Sequence, residues 1–285
     1  MGDWALASGF RSETFNTGTG NNGISTSVTS SATANTKGSW SQLSASTSFE
    51  ASAILLHIST QFIDTRYLID IGIGAAGSEQ VIISNLLVGI STGVCFDICL
   101  PISVPAGSRL AARCQDNFGS SVAYVSGSIF AGGFMGMPSF ASMTDYGTST
   151  STSGGTTVDA GATANTKGSY TQIAASTTYA HKGLVIAAMR PTPGTNVTAD
   201  YFQLADLAIG ASGSEQILLN NLRFVCSTVT GGTAANTASR GTLLPNYVPP
   251  LLCDIPAGSR IAMRQQSSST NTTDRTCAYA VYGLN

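Results

Sequence analysis

The sequence predicts an all-β protein built as two tandem jelly-roll-like β-sandwich domains from an internal duplication. Three observations predict it. The octapeptide ATANTKGS stands at Ala32–Ser39 and again at Ala162–Ser169, 130 residues later. Apolar and polar residues alternate along many short segments, the period of two that a half-buried strand imposes. Gly, Pro, Ser and Asn punctuate those segments, and no stretch sustains the 3.6-residue period of a helix.

The duplication runs through the chain. LIDIGIGAAGSEQVIISNL (Leu68–Leu86) aligns with LADLAIGASGSEQILLNNL (Leu204–Leu222) at an offset of 136. VPAGSRLAARCQ (Val104–Gln115) aligns with IPAGSRIAMRQQ (Ile255–Gln266) at 151. Upstream, Phe10, Ser12, Thr14 and Val28 align with Phe140, Ser142, Thr144 and Val158 at 130. Gly136-Met137-Pro138 breaks any strand, which places the first sandwich repeat at 1–136 and the second at 137–285. The growing offset locates two insertions in the second repeat, at 190–200 and 226–251. Both are rich in Gly, Pro, Thr and Asn and read as loops.

Strands follow in order from the local pattern. The segments 40–43, 50–58, 79–83, 95–104 and 122–131 are strand candidates in the first repeat. In YLIDIGIG, Tyr67, Ile69, Ile71 and Ile73 face one way, while Leu68, Asp70 and Gly72 face the other. In SRLAARCQ, Leu110, Ala112 and Cys114 oppose Arg109, Ala111 and Arg113. PAGS between two such runs is a turn. Seven or eight short strands per repeat point to a sandwich, with a jelly roll as the variety.

Bulk properties narrow the partners. Apolar residues make up 42% of the 285, enough for a sizeable core. Charged residues make up only 10%, against an ordinary level of about 25%, which suggests surface covered by neighbouring subunits. A net charge of −2 with no basic stripe argues against nucleic acid. No apolar run approaches the length of a membrane-spanning helix, so no membrane insertion is expected. The start, MGDWALASGF, has no charged segment followed by a long apolar core, so no signal peptide is read. Six cysteines without a CxxC pair read as buried free thiols of a protein assembled in a reducing cytoplasm.

Motifs that resemble chemistry dissolve on inspection. GIGAAG (Gly72–Gly77) fits a dinucleotide fingerprint but is followed by another strand pattern, so it reads as a hairpin turn. GISTG (Gly89–Gly93) fits a nucleophile elbow, yet no helix follows Ser91 and no Asp–His pair completes a triad. His57 and His181 occupy different positions in the two repeats and have no ligand-spaced neighbours, so no metal site is read. Asn196 and Asn271 are formal glycosylation sequons. No catalytic residue and no cofactor is expected.

Some charges recur in both repeats. Lys37, Asp70, Glu79, Arg109 and Arg113 match Lys167, Asp206, Glu215, Arg260 and Arg264. In so uncharged a chain they read as an ion-pair network pinning strands and loops, rather than a repeated acidic or sugar-binding site.

The strings KGSWSQL, IDIGIGAAGSEQVII and ISVPAGSRLAARCQ, with their second-repeat counterparts, resemble β-rich virion proteins of tailed bacteriophages. The resemblance implies jelly-roll modules and a non-enzymatic structural subunit on the virion exterior, in tail, fibre, baseplate or head decoration. It implies assembly in the host cytoplasm and many copies per particle, partnered by copies of itself and other virion proteins. The alternative is a carbohydrate-binding or host-receptor-binding β-sandwich protein, with a host-surface glycan as ligand. For that reading Tyr201 and Tyr247 are the aromatic candidates. The longer insertion is expected to project from the second sandwich, with Arg240, Asn246 and Tyr247 as a candidate interaction loop.

Overall fold

In the computed structural model the chain is all-β, two tandem jelly-roll-like sandwiches. It describes residues 10–15, 25–60, 65–90, 96–132, 136–190, 201–229, 240–244, 247–272 and 274–285; for 90, 201, 226–229 and 240–244 it describes the backbone alone. Ser91, Asn246 and most of the shorter insertion therefore lie outside the described residues.

The first repeat supplies β1 (Arg11–Phe15), β2 (Thr26–Thr29), β3 (Ser41–Ser44), β4 (Ala53–Thr60), β5 (Thr65–Ile73), β6 (Gln80–Ile90), β7 (Phe96–Leu100), β8 (Leu110–Asp116) and β9 (Val122–Ala131). The second supplies β10 (Met143–Tyr146), β11 (Thr156–Asp159), β12 (Thr171–Ala174), β13 (His181–Met189), β14 (Tyr201–Ile209), β15 (Gln216–Val229), β16 (Arg240–Leu244), β17 (Tyr247–Ile255), β18 (Ile261–Ser267) and β19 (Thr276–Leu284). In the first sandwich, β1-β9-β4-β7 with β2 is one sheet and β3-β8-β5-β6 belongs to the other. The second repeats this layout as β10-β19-β13-β17 with β11, and β12-β18-β14-β15 with β16 at its edge.

The two sandwiches are fused through a sheet. β10 runs parallel to β6, Met143 opposite Ile83, so the second sheet of the first sandwich and the first sheet of the second form one nine-stranded sheet. Asp145 accepts hydrogen bonds from the Ser84 hydroxyl and from the side-chain amide of Asn85 across this seam. The Leu87 amide donates to the Tyr282 hydroxyl at 2.7 Å, and that hydroxyl donates to the Asn85 carbonyl at 3.0 Å. Tyr247 donates its hydroxyl to the Leu87 carbonyl, and its ring packs 4.6 Å from that of Phe96. Burial pushes both phenols well above the ordinary tyrosine range, so both stay neutral donors.

Three sequence expectations change here. The longer insertion is not merely a loop: β16 pairs with an extended β15, from Val225 opposite Leu244 to Val229 opposite Arg240. Pro249 and Pro250 lie in β17, at the edge of its sheet, where a missing amide donor costs no ladder bond. Tyr247 is therefore no exposed interaction residue but a filler between the sandwiches, and of Arg240 the backbone alone is described. The alignment of β1 with β10 also slips by one. Ser12 opposes Phe130 as Met143 opposes Leu284, while Val28 opposes Ala123 as Val158 opposes Cys277. Phe15 and Tyr146 thus share one core position, because a one-residue shift would turn each ring out to solvent.

Among the described cysteines, Cys99, Cys114, Cys253 and Cys277 are free thiols. Burial pushes the Cys114 thiol up to about 12, so it behaves as a small apolar side chain.

Candidate ligand-binding site

The recurring charges form the same clamp twice. Asp70 accepts from Lys37 (2.8 Å) and the Asn85 amide (2.9 Å) on Oδ1, and from Arg113 Nε (2.8 Å) on Oδ2. Asp206 accepts from Lys167 (2.7 Å), the Asn221 amide (2.9 Å) and Arg264 Nε (2.9 Å) in the same way. Burial alone would raise Asp206, but these donors outweigh it and hold its carboxyl below the usual range. Burial pushes Lys37 down, against the opposing pull of Asp70. A carboxylate held by two cationic side chains and a backbone amide ties the octapeptide, the hairpin and the neighbouring strand together.

The octapeptide serves this clamp. Asn35 and Asn165 take left-handed φ of 58° and 57°, a conformation Asn tolerates better than most residues. A Cβ on Gly38 would stand 2.1 Å from the Thr29 carbonyl oxygen, and one on Gly168 2.6 Å from that of Asp159. The segment thus crosses β2 and β11 at backbone distance and delivers Lys37 and Lys167 to the two aspartates.

The residue after each octapeptide is an aromatic lying on the outer sheet face. The Arg113 guanidinium sits 4.6 Å from the Trp40 ring centroid, and Arg264 4.6 Å from that of Tyr170. Trp40 reaches across to Gly72, where an added Cβ would stand 2.9 Å from Trp40 Cη2 and 3.1 Å from the Gln80 carbonyl oxygen. At the matching positions the second repeat has the smaller Tyr170 and Ala208. Gly72 is therefore explained by the indole above it, not by a nucleotide.

Beyond Trp40 the surface opens into a concavity of about 500 Å³. Ile73, Gly74, Ala75, Ser78 and Gln80 line it from the β5–β6 hairpin, and Ala106, Gly107, Ser108 and Arg109 from the PAGSR turn. Glu79 and Arg109 pair at 2.8 Å behind it, and Gln42 holds the Arg109 Nε at 3.1 Å. Burial pushes Glu79 up, but its own amide, Arg109 and the Gly77 amide more than compensate and lower it. The second repeat builds the same turns: Arg260 meets Glu215 at 3.0 Å and Gln172 at 3.1 Å.

All nine lining residues are identical in the second repeat, from Ile209 to Gln216 and from Ala257 to Arg260. A second concavity, about 420 Å³ beside the octapeptide, behaves differently. Thr29, Ser30, Ser31 and Ser41 on its wall become Asp159, Ala160, Gly161 and Thr171. Fold explains part of the first identity. Gly74, Gly77 and Gly107 have positive φ, as do Gly210, Gly213 and Gly258. It does not explain Ala75, Ser78, Gln80 and Ala106, which are exposed. Nor do the side chains of Ser78, Gln80 and Ser108 make hydrogen bonds among the described residues.

The remaining sequence candidates do not converge on this surface. His57 lies on the outer face of β4, paired to Asp97 at 2.6 Å. His181 is buried, its Nε2 2.8 Å from the Tyr146 hydroxyl, and burial lowers it. No group of metal-ligating side chains occurs among the described residues. Sequence reasoning looked for sugar-facing rings in the insertions. The signal for Trp40 and Tyr170 was the repeated octapeptide that precedes them.

No family model and no curated protein matches the chain. Among solved structures it is similar to a recombinant N-glycanase F (PNGase F), at 12% identity and a TM-score of 0.39, covering 96% of each chain. A structure of PNGase F, described as a glycosylasparaginase from Flavobacterium meningosepticum, matches at 13% identity and a TM-score of 0.35, covering 97% of this chain and 96% of that one. PNGF-II matches at 7% and 0.38, covering 96% of this chain and 66% of its own. These neighbours correct the expectation of a non-enzymatic subunit on a phage exterior: they are enzymes, and nothing in the comparisons points to a virion. At such identities and scores the likeness carries no activity over to this chain.

Proposed function

We propose that this protein recognises glycans at two equivalent sites, one at the hairpin tip of each sandwich. The observation that carries it is the identity of exposed, unbonded lining residues across two repeats whose other concavity diverges. Hydroxyls of Ser78 and Ser108 and the amide of Gln80 offer hydrogen bonds of both senses. Arg109 and Glu79 cancel in charge, which suits a neutral polyol better than a phosphate or carboxylate. The half-buried Trp40 ring, with the Arg113 guanidinium stacked on it, adds an aromatic edge beside Gln80.

The test is a glycan-array screen followed by calorimetric titration of the best ligand. Two sites per chain are expected. Ser78→Ala with Gln80→Ala removes one, and Ser214→Ala with Gln216→Ala removes the other. Absence of glycan binding, or binding that survives all four substitutions, overturns the reading.

A further inference from the structure

The seam between the sandwiches joins one edge of each, and the counterparts of both edges stand without a strand partner among the described residues. The acceptor side of the first sandwich is the edge of β6 with the segment after β7. There Ile83 and Ile102 are fully buried, Pro101 is buried, and Phe140 at the entry to β10 is seated with 6% exposure. Phe140 donates its amide to the Pro101 carbonyl at 2.8 Å and accepts from the Ser103 amide at 2.8 Å.

The second sandwich has the same acceptor side, built from β15 and β17. From Gln216 to Phe224 the outer edge of β15 has no strand partner among the described residues, because β16 covers only Val225 onward. Ile217 stands there 47% exposed. Leu252, the counterpart of Pro101 at the offset of 151, is 57% exposed. The first sandwich in turn carries the donor side. β1 pairs only with β9 among the described strands, and Phe10, which in the shifted register stands where Ala141 stands, one place after the counterpart of Phe140, is 48% exposed. So the exposed large apolar side chains include one on the unused donor and two on the unused acceptor.

We infer that a second copy of this chain docks its β1 edge, led by Phe10, onto the β15–β17 edge, repeating the seam between molecules. Ser12, which stands where Met143 stands, then lies against Leu219, the counterpart of Ile83. The contact joins unlike surfaces, so it propagates head to tail rather than closing on a two-fold axis. It is weaker than the internal seam. The outer face of the first sandwich carries His57, Ser59, Ser126 and Ser128 where the second carries apolar side chains and Tyr282, and Arg223 replaces Leu87. Reversible, concentration-dependent association follows.

Sedimentation velocity over a concentration series tests it. The wild-type chain is expected to exceed one chain's mass as concentration rises. Phe10→Asp destroys the donor alone, and Ile217→Asp with Leu252→Asp the acceptor alone; all three positions are exposed, and circular dichroism checks the fold. Each variant is expected to stay monomeric. Mixed together they are expected to form a dimer and nothing larger, since one intact donor meets one intact acceptor. A wild-type chain that stays monomeric, variants that associate like wild type, or a mixture that stays monomeric overturns the inference.

Discussion

Equivalent strands of the two sandwiches face different surroundings. In β4 and β9 of the first sandwich, inward side chains are buried while Leu55, His57, Ser59, Tyr124, Ser126 and Ser128 look outward, half-buried. In β13 and β19 the matching positions hold Val185, Ala187, Met189, Ala278, Ala280 and Tyr282, all buried in the core of the first sandwich. The intervening residues Leu184, Ile186, Tyr279 and Val281 fill the core of the second. One ancestral sheet thus has a wet outer face in one copy and a dry one in the other. The difference teaches that the period of two reports a sheet's neighbours as much as its fold.

The largest expected effect breaks this comparison. Ala280→Asp buries a charge with no partner and is expected to destabilise by about 3–5 kcal/mol. Ser126→Asp, at the matching position, is expected to stay within about 0.5 kcal/mol. Urea unfolding of the two variants checks both. Equal costs would mean that the two faces are equally covered.

The clamps should instead respond alike. Asp206→Asn and Asp70→Asn are each expected to cost about 3 kcal/mol, because each strands a lysine and an arginine against a neutral amide. For Asp206 the pH dependence follows in sign. Its folded carboxyl titrates below its unfolded value, so its contribution is complete above the ordinary aspartate range near about 3.9. That contribution is lost as pH falls through the lower folded value. Asp206→Asn is therefore expected to flatten the acid limb of a stability–pH curve. An acid limb unchanged from wild type would count against the clamp.

Much of this was legible in the sequence, and the rest fails for physical reasons. The duplication and most strands follow from local pattern, because a half-buried strand must alternate. The charge pairs were visible as retained residues in a chain poor in charge. The fused sheet was not read, although Ser126 against Ala280 and His57 against Ala187 record it, since an apolar outer face has two explanations until its partner is known. Tyr247 was misplaced because its insertion is rich in turn-forming residues. Prolines at a sheet edge look the same in sequence as prolines in a loop. The tip site was hidden by its smallness: Gly, Ala and Ser carry no chemical signature until two turns bring them together.

A smaller effect sharpens the comparison at the aromatic. Gly72→Ala pushes a methyl against Trp40 and is expected to cost about 1–2 kcal/mol. Combined with Trp40→Tyr, which copies the second repeat, the added methyl is expected to cost under about 0.5 kcal/mol. A double-mutant cycle measures the coupling. Additive costs would show that the ring and the glycine are not matched.

The smallest expected effect separates fold from ligand as the cause of the identical hairpin tips. If the tips are retained for folding, removing a retained side chain must destabilise the sandwich that carries it. Gln80 and Gln216 are exposed, and among the described residues neither side chain donates or accepts a hydrogen bond. Each sits at the first position of its strand, where alanine is tolerated. Gln80→Ala and Gln216→Ala are therefore each expected to shift stability by less than about 0.5 kcal/mol, within the ordinary range for surface substitutions. Arg109→Ala is the contrasting control, since it removes three anchoring bonds, to Gln42, the Gly74 carbonyl and Glu79. Thermal melts of the three variants decide the matter. Glutamine variants as damaged as the arginine variant would return the tips to architecture and leave the glycan reading without its support. Undamaged ones leave two identical, chemically equipped surfaces that the fold does not require.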